Sequence, residues 1–244
     1  MFNIKKFFID IKVNFTKVDV KKYDNIIFLG YNCETAFQFY HYYKFINSSL
    51  FAWTNTVDIN KALSQFEKIG TENFEYLPEF KMFKDNVSSI CFHGKTAIPD
   101  DLTEEELKEA IEKDHTDLIQ RTAYLKEKFK KQMTDGGKNL FIRKIRINEL
   151  CEDSQKENLE LEKLYEYINT NCKNKFNLLL IVEEKYKNLI TIKKENLFVR
   201  TVKNYNSDAC VGDDPNCDYY GWHMIFHEFS PIKKLKKRKK FKFE

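Results

Sequence analysis

The chain has 244 residues, 42% of them hydrophobic and 32% charged, which is enough apolar material for one sizeable core. Its formal charge is +4, but the run Lys233–Lys242 carries eight of the 41 basic residues, so the remainder is mildly acidic. No apolar run approaches the roughly 18 residues of a membrane span, and a body without a basic excess argues against nucleic-acid binding as the main task.

Residues 1–21 read as a lead-in that alternates lysines with aromatics. They lack the uninterrupted apolar stretch of a secretory signal, and packing against the domain is the expectation. One domain follows, over 22–230. It opens with the apolar run Ile26–Leu29 and a helical pattern over Thr35–Tyr43. A second helical pattern covers Ile59–Lys68, and a second apolar run covers Val87–Phe92. Next comes a long helix, from Glu104 to about Lys130, whose start is marked by the capping box Thr103–Glu106. Leu107, Ile111, Leu118, Leu125 and Phe129 form its stripe at ~100° per residue. Asp114 and Arg121 fall inside that stripe. Inward charges need partners, and residues seven apart do not easily meet, so each is expected to pair across the interface.

The remaining apolar runs are Leu140–Ile145, Leu178–Val182, Ile190–Ile192 and Leu197–Val199, with a helical pattern over Gln155–Asn171 between the first two. Continuous apolar runs suit strands buried on both faces. Their alternation with helices predicts an α/β fold: a mostly parallel sheet sandwiched by helices, in a single domain. A last helix is anchored by Trp222, Ile225, Phe226 and Phe229. Residues 231–244 form a basic tail with too few apolar residues to pack, suited at most to weak contact with an anionic membrane surface.

Six cysteines, at 33, 91, 151, 172, 210 and 217, form no close pair. They are expected to be free thiols in a reducing, cytoplasmic setting. Cys33 has the most informative position. A strand ending at Gly30, a turn through Tyr31–Asn32 and a following helix put it at a helix N-terminus on the carboxyl edge of a strand. Backbone N–H groups there stabilise a thiolate or an oxyanion, and Asn32 adds a further donor. Position alone leaves two readings open: a nucleophile, or a small apolar filler at the strand–helix junction.

A nucleophilic thiol needs a base. His93 directly follows the run VSSICF and lies on the same sheet edge as Cys33 if the two strands are parallel, which makes it the favoured base. His41 lies eight residues along the same helix, ~12 Å of rise away. His115 reads as a solvated histidine at the rim of the long helix's stripe. His223 and His227 are four apart in the last helix, and Asp213, Asp214 and Asp218 offer carboxylates to orient a histidine. Cys210, Cys217, His223 and His227 are donors of the right type for zinc, but six residues separate the two cysteines where two to four are usual. No metal or other cofactor is expected.

The blocks YDNIIFLGYNCETAFQFYHYY and SLFAW resemble the opening of the papain-like cysteine peptidase family, bacterial proteins of otherwise unknown function. SICFHG resembles that family's strand ending in His-Asp. DLIQRTAYLKEKF with NLFIRKI resembles its arginine-bearing helix and arginine-ended strand, and DYYGWHMIF its terminal block. The resemblance runs from about Tyr23 to Phe229. It implies Cys33 as nucleophile and His93 as its partner, with Arg121, Arg143, Trp53 and Trp222 at site-lining or structural positions. Four positions depart from the pattern: Leu50 replaces a proline, Ala52 an aspartate, Gly94 the aspartate after the histidine, and His223 an acidic residue. The base is therefore His93 or else His223.

The resulting expectation is a Cys-dependent hydrolase acting on an acyl or amide bond. Arg121 and Arg143 would hold an anionic part of a small-molecule, peptide or glycan substrate. Two alternatives are an acyltransferase of surface-polysaccharide biosynthesis and a non-catalytic binding module that keeps the fold.

Overall fold

The computed structural model describes residues 23–44, 49–71, 74–94, 98–99, 101–205 and 214–229. Cys210, Asp213, the lead-in to residue 22 and the basic tail lie outside the described residues. Four strands, β1 (Asn25–Phe28), β6 (Lys138–Lys144), β7 (Lys175–Glu183) and β8 (Leu197–Val202), form a parallel sheet in the order β1-β6-β7-β8. Their sequences are the continuous apolar runs that a sheet covered on both faces requires. In β7, every residue from Phe176 to Val182 is buried.

Alternation of side chains divides the core in two. Ile27, Leu29, Phe141, Leu178, Leu180 and Val182 face one side. They pack on helices α2 (Ile59–Ser64), α3 (Glu104–Thr134), α4 (Ile147–Glu152) and α5 (Ser154–Asn171). Phe28, Leu140, Ile142, Leu179, Ile181 and Val202 face the other side, against α1 (Glu34–Tyr43) and α6 (Tyr219–Glu228). This is the expected α/β sandwich. Truncating a fully buried leucine such as Leu179 to alanine is expected to cost about 2–5 kcal/mol.

The sequence reading did not foresee a second sheet. Strands β2 (Thr54–Asn55), β3 (Phe74–Leu77), β4 (Met82–Asp85) and β5 (Cys91–His93) pair antiparallel in the order β2-β5-β4-β3. The run Val87–Phe92 therefore does not join the parallel sheet. Its first residues belong to a turn closed by the Asp85 carboxylate, which accepts the Ser88 amide at 3.0 Å, and only Cys91–His93 is strand. The run Ile190–Ile192 is not a strand either. It is an extended link after a short 3-10 turn, held where Asn158 Oδ1 accepts the amides of Thr191 and Ile192 at 2.7 and 3.2 Å. The helical pattern over Ile59–Lys68 breaks after Ser64 into a separate 3-10 turn.

The long helix α3 starts at the predicted capping box, with both reciprocal bonds of Thr103 and Glu106 formed. Its inward face is more polar than its apolar stripe suggests: Asp114, Thr122 and Lys126 are buried beside Leu118, Phe129 and Met133. Lys126 is satisfied by the carbonyls of Glu67 and Ile69, at 2.5 and 3.0 Å.

Candidate active site

β1 hands over to α1 through a turn with unusual backbone geometry. Leu29 makes the last ladder bond, to the Ile142 carbonyl at 2.9 Å. Gly30 and Tyr31 then follow in succession at φ +73° and +87°. Gly30 is required both by that angle and by space, since a Cβ there would lie 2.7 Å from Thr56 Oγ1. Tyr31 has no such excuse, and a left-handed backbone at a non-glycine residue costs roughly 1–2 kcal/mol. Its carbonyl accepts the Thr56 amide at 3.2 Å, which ties the turn to β2.

Asn32 closes the turn. Its Oδ1 accepts the Glu34 amide at 3.2 Å, so one N–H expected to face an oxyanion is already used. Cys33 is the residue that caps α1, and it is 3% exposed. The amides of Thr35 and Ala36, in the first turn of α1, have no acceptor within the helix and are the remaining donors of that kind.

The end of β6 closes around this turn from the other side. Arg143 is buried and donates from Nη1 to the carbonyls of Leu29 (2.6 Å) and Thr56 (3.3 Å), and from Nη2 to that of Val57 (3.4 Å). Burial pushes its guanidinium down to about 10. Arg143 thus clamps backbone carbonyls, a different task from the substrate contact expected of it. Next to it, Lys144 forms a buried ion pair with Glu34, the residue after Cys33. The Lys144 ammonium also lies 4.0 Å from the ring centre of Tyr205 and 5.3 Å from that of Tyr31. Arg146 sits 5.3 Å from the same Tyr31 ring and is paired with Glu149.

Sequence reasoning missed Tyr31, Glu34, Lys144, Arg146 and Tyr205. The visible signal was RKIR, three basic residues in four at the end of an apolar run. Tyr205 donates to the carbonyls of Ile181 (2.8 Å) and Ile145 (3.2 Å), and burial followed by the charges of Glu34 and Glu183 raises its phenol well above 10. Cys217 lies in the same cluster. Its sulfur accepts from Gln38 Nε2 at 3.1 Å and lies 4.0 Å from Glu34 Oε1, and burial pushes the thiol up to about 12.

His93 belongs to the second sheet, not to a parallel neighbour of β1. The expectation that His93 and Cys33 share one parallel sheet edge is therefore corrected. In β5, Phe92 packs into the core under α3, while Cys91 and His93 are half-buried on the opposite face. The β2–β5 register pairs Thr54 with Phe92, so Trp53 falls one step further, opposite His93. The Trp53 ring meets Phe37 of α1 edge to face, with centroids 5.1 Å apart. Phe37 is one helical turn beyond Cys33. Trp53 thus links the strand of His93 to the helix of Cys33.

Arg121 of α3 donates to the His93 carbonyl, so it pairs across the interface as its inward position predicts. Gly94 has no room for a side chain. A Cβ there would collide with the buried Asp114 carboxylate, which occupies that space from α3. Because neighbouring residues of a strand face opposite ways, this carboxylate lies on the α3 side and the His93 ring on the other.

The C-terminal block takes a different part. Asp218 caps α6: Oδ1 accepts the Gly221 amide at 3.0 Å and Oδ2 the Lys203 amide at 2.8 Å. Its carboxylate serves two backbone amides, which corrects its expected service to a histidine. Trp222 is fully buried and stacks on Phe226 at 5.9 Å, so it is a core residue rather than a lining one. His223 is buried against the Tyr42 ring, 5.2 Å between centroids. Tyr42 is nine residues along α1 from Cys33, about 13 Å of rise. His227 Nδ1 is 3.1 Å from the Tyr42 hydroxyl. His115 is not a solvated histidine: its Nε2 accepts the Phe74 amide at 3.2 Å.

Among the described residues, no three His, Cys, Asp or Glu side chains are grouped to hold a metal ion, and no helix is long and apolar enough to cross a membrane. No family model, curated protein or solved structure matches the chain.

Proposed function

We propose that the protein is a cysteine-dependent hydrolase of acyl or amide bonds, working in a reducing compartment. Cys33 is the nucleophile and His93 the base. The observation that carries this reading is the pair of left-handed residues, Gly30 and Tyr31, separated by Asn32 alone from a cysteine that caps a helix at the carboxyl end of a parallel strand. Backbone strain persists only where the surroundings over-determine it, and it gathers at functional sites. Here the surroundings are Arg143, Lys144, Thr56 and Arg146.

In the reaction, His93 takes the thiol proton and the Cys33 thiolate attacks the acyl carbon. N–H groups at the start of α1 hold the oxyanion. The leaving group departs with the proton from His93, and water then releases the acyl group from sulfur. Cys33 is 3% exposed, so substrate must displace what covers the sulfur.

The test is competitive labelling of the full chain with an electrophile, mapped by mass spectrometry, with the exposed Cys151 as internal control. Adduct formation at Cys33 faster than at Cys151, abolished by Cys33→Ser, is the expected result. Labelling of Cys151 with none at Cys33 would overturn the proposal. The burial of Cys33 favours one other reading, a binding module that keeps the fold without the chemistry, and that outcome would select it.

A further inference from the structure

We propose that Lys144 is the positioning residue of the candidate nucleophile: one buried ammonium holds the chain on both sides of Cys33. After Cys33 it holds Glu34 through an ion pair. Before Cys33 it lies over the ring of Tyr31, the residue with the strained backbone. The ring of Tyr205 covers the ammonium from a third direction, and Tyr205 is itself fixed by two backbone carbonyls.

Stability alone does not account for this arrangement. Two charges taken out of water cost more than a surface pair gains, and apolar replacements of such pairs are often neutral or stabilising. Lys144 and Glu34 are 3% and 1% exposed, well inside a core that apolar side chains would fill. What the pair supplies is direction. An ammonium over an aromatic face and against a carboxylate fixes both partners relative to β6, and leucine or methionine packing does not. The register of β6 on β1 then sets where the Tyr31–Glu34 segment lies, because Lys144 is the last residue of β6. Arg143 anchors the same segment one residue earlier, through the Leu29 carbonyl.

The inference rests on the reading of Cys33 as a nucleophile, but its test reads the turn separately from the chemistry. The full chain carrying Glu34→Met together with Lys144→Met removes both charges and leaves neither unpaired, which keeps the fold. The turn is read in the ¹⁵N-labelled protein by the strong intraresidue HN–Hα cross-peak that a positive φ gives Tyr31. The thiol is read by the rate of Cys33 alkylation with iodoacetamide. The expected result is an unchanged or higher thermal midpoint, loss of the Tyr31 cross-peak, and slowing of Cys33 alkylation on the order of tenfold, since displacement of about 1 Å is enough to cost that much. Retention of the Tyr31 cross-peak in the double variant overturns the proposal, whatever the alkylation rate. If wild-type Cys33 does not react while the cross-peak is lost in the variant, the nucleophile reading fails and the positioning by Lys144 stands.

Discussion

Arg121 of the long helix donates through Nη2 to the backbone carbonyl of His93, the last residue of β5. The contact crosses from a 31-residue helix to the rim of the small sheet, and it fixes the strand end at the residue proposed as the base. Burial lowers the Arg121 guanidinium from its ordinary value, with the charges of Asp114 and Asp117 opposing. Replacement by methionine leaves that carbonyl without its donor. Arg121→Met is expected to lose about 1–3 kcal/mol by urea denaturation, and Arg121→Lys to recover part of it. A loss below about 0.5 kcal/mol would mean that the contact does not anchor β5.

The two histidines weighed as the base should separate cleanly. His93→Gln is expected to slow Cys33-dependent turnover by about 10²–10⁴ with little change in thermal midpoint. His223 is buried against Tyr42. His223→Gln should therefore destabilise by about 1–3 kcal/mol and leave Cys33 alkylation unchanged. The reverse pattern would move the base to α6.

Asp218 is expected to behave as a cap. Asp218→Ala removes the acceptor for Gly221 and Lys203 and should cost about 1–2 kcal/mol. Turnover should stay within about twofold of wild type. A fall of a thousandfold or more is what loss of a histidine-orienting carboxylate produces, and it would contradict the capping role.

Alkaline pH should weaken the fold. The Cys217 thiol ionises near 9 when exposed, and burial raises it to about 12 in the folded chain. Between these values the unfolded chain releases a proton that the folded chain keeps. This contribution is complete below pH 9 and is lost as pH rises to about 12, at up to about 1.4 kcal/mol per pH unit. Tyr205, raised well above 10, acts in the same direction. Arg143 opposes them above about 10, because the folded chain gives up that proton first. The raised Cys91 thiol and the raised Tyr23, Tyr165 and Tyr167 phenols add to the decline, the lowered Arg121, Lys126 and Lys128 oppose it, and the strongly raised Cys217 and Tyr205 set its sign. Urea midpoints measured from pH 8 to 11 should fall, and Cys217→Ala should flatten the slope by about one proton.

The parallel sheet was legible because β1, β6 and β7 are buried on both faces and read as apolar runs, with the half-buried β8 adding the shorter run Leu197–Val199 at the edge. Sheet B was not. FEYL and MFKD span four residues each and their buried positions do not alternate, so no periodicity emerges. The run Val87–Phe92 misled because its serines belong to a turn around a buried carboxylate. In the candidate site, the Cys33 corner was legible from Gly30 and the helical pattern after it. The Glu34–Lys144 pair was not, because charged side chains read as surface until β6 is laid against β1. Arg143 was singled out by the resemblance and Asp218 as a carboxylate to orient a histidine, but their partners are backbone groups, which a sequence does not display.

Leu29 and Arg143 are 114 positions apart in the chain, as are the first partners of the β1–β6 ladder, Asn25 and Asn139. The corner that holds Cys33 is therefore a long-range structure built on a short-range motif. A loop of this length must close before any of its contacts form, which makes it a late event in folding. On the ribosome, the thiol would emerge more than a hundred residues ahead of the strand that encloses it. A nascent chain stopped before Lys144 would carry Cys33 without its clamp, and the amide of Leu29, bonded to Ile142, should exchange with solvent only on global unfolding.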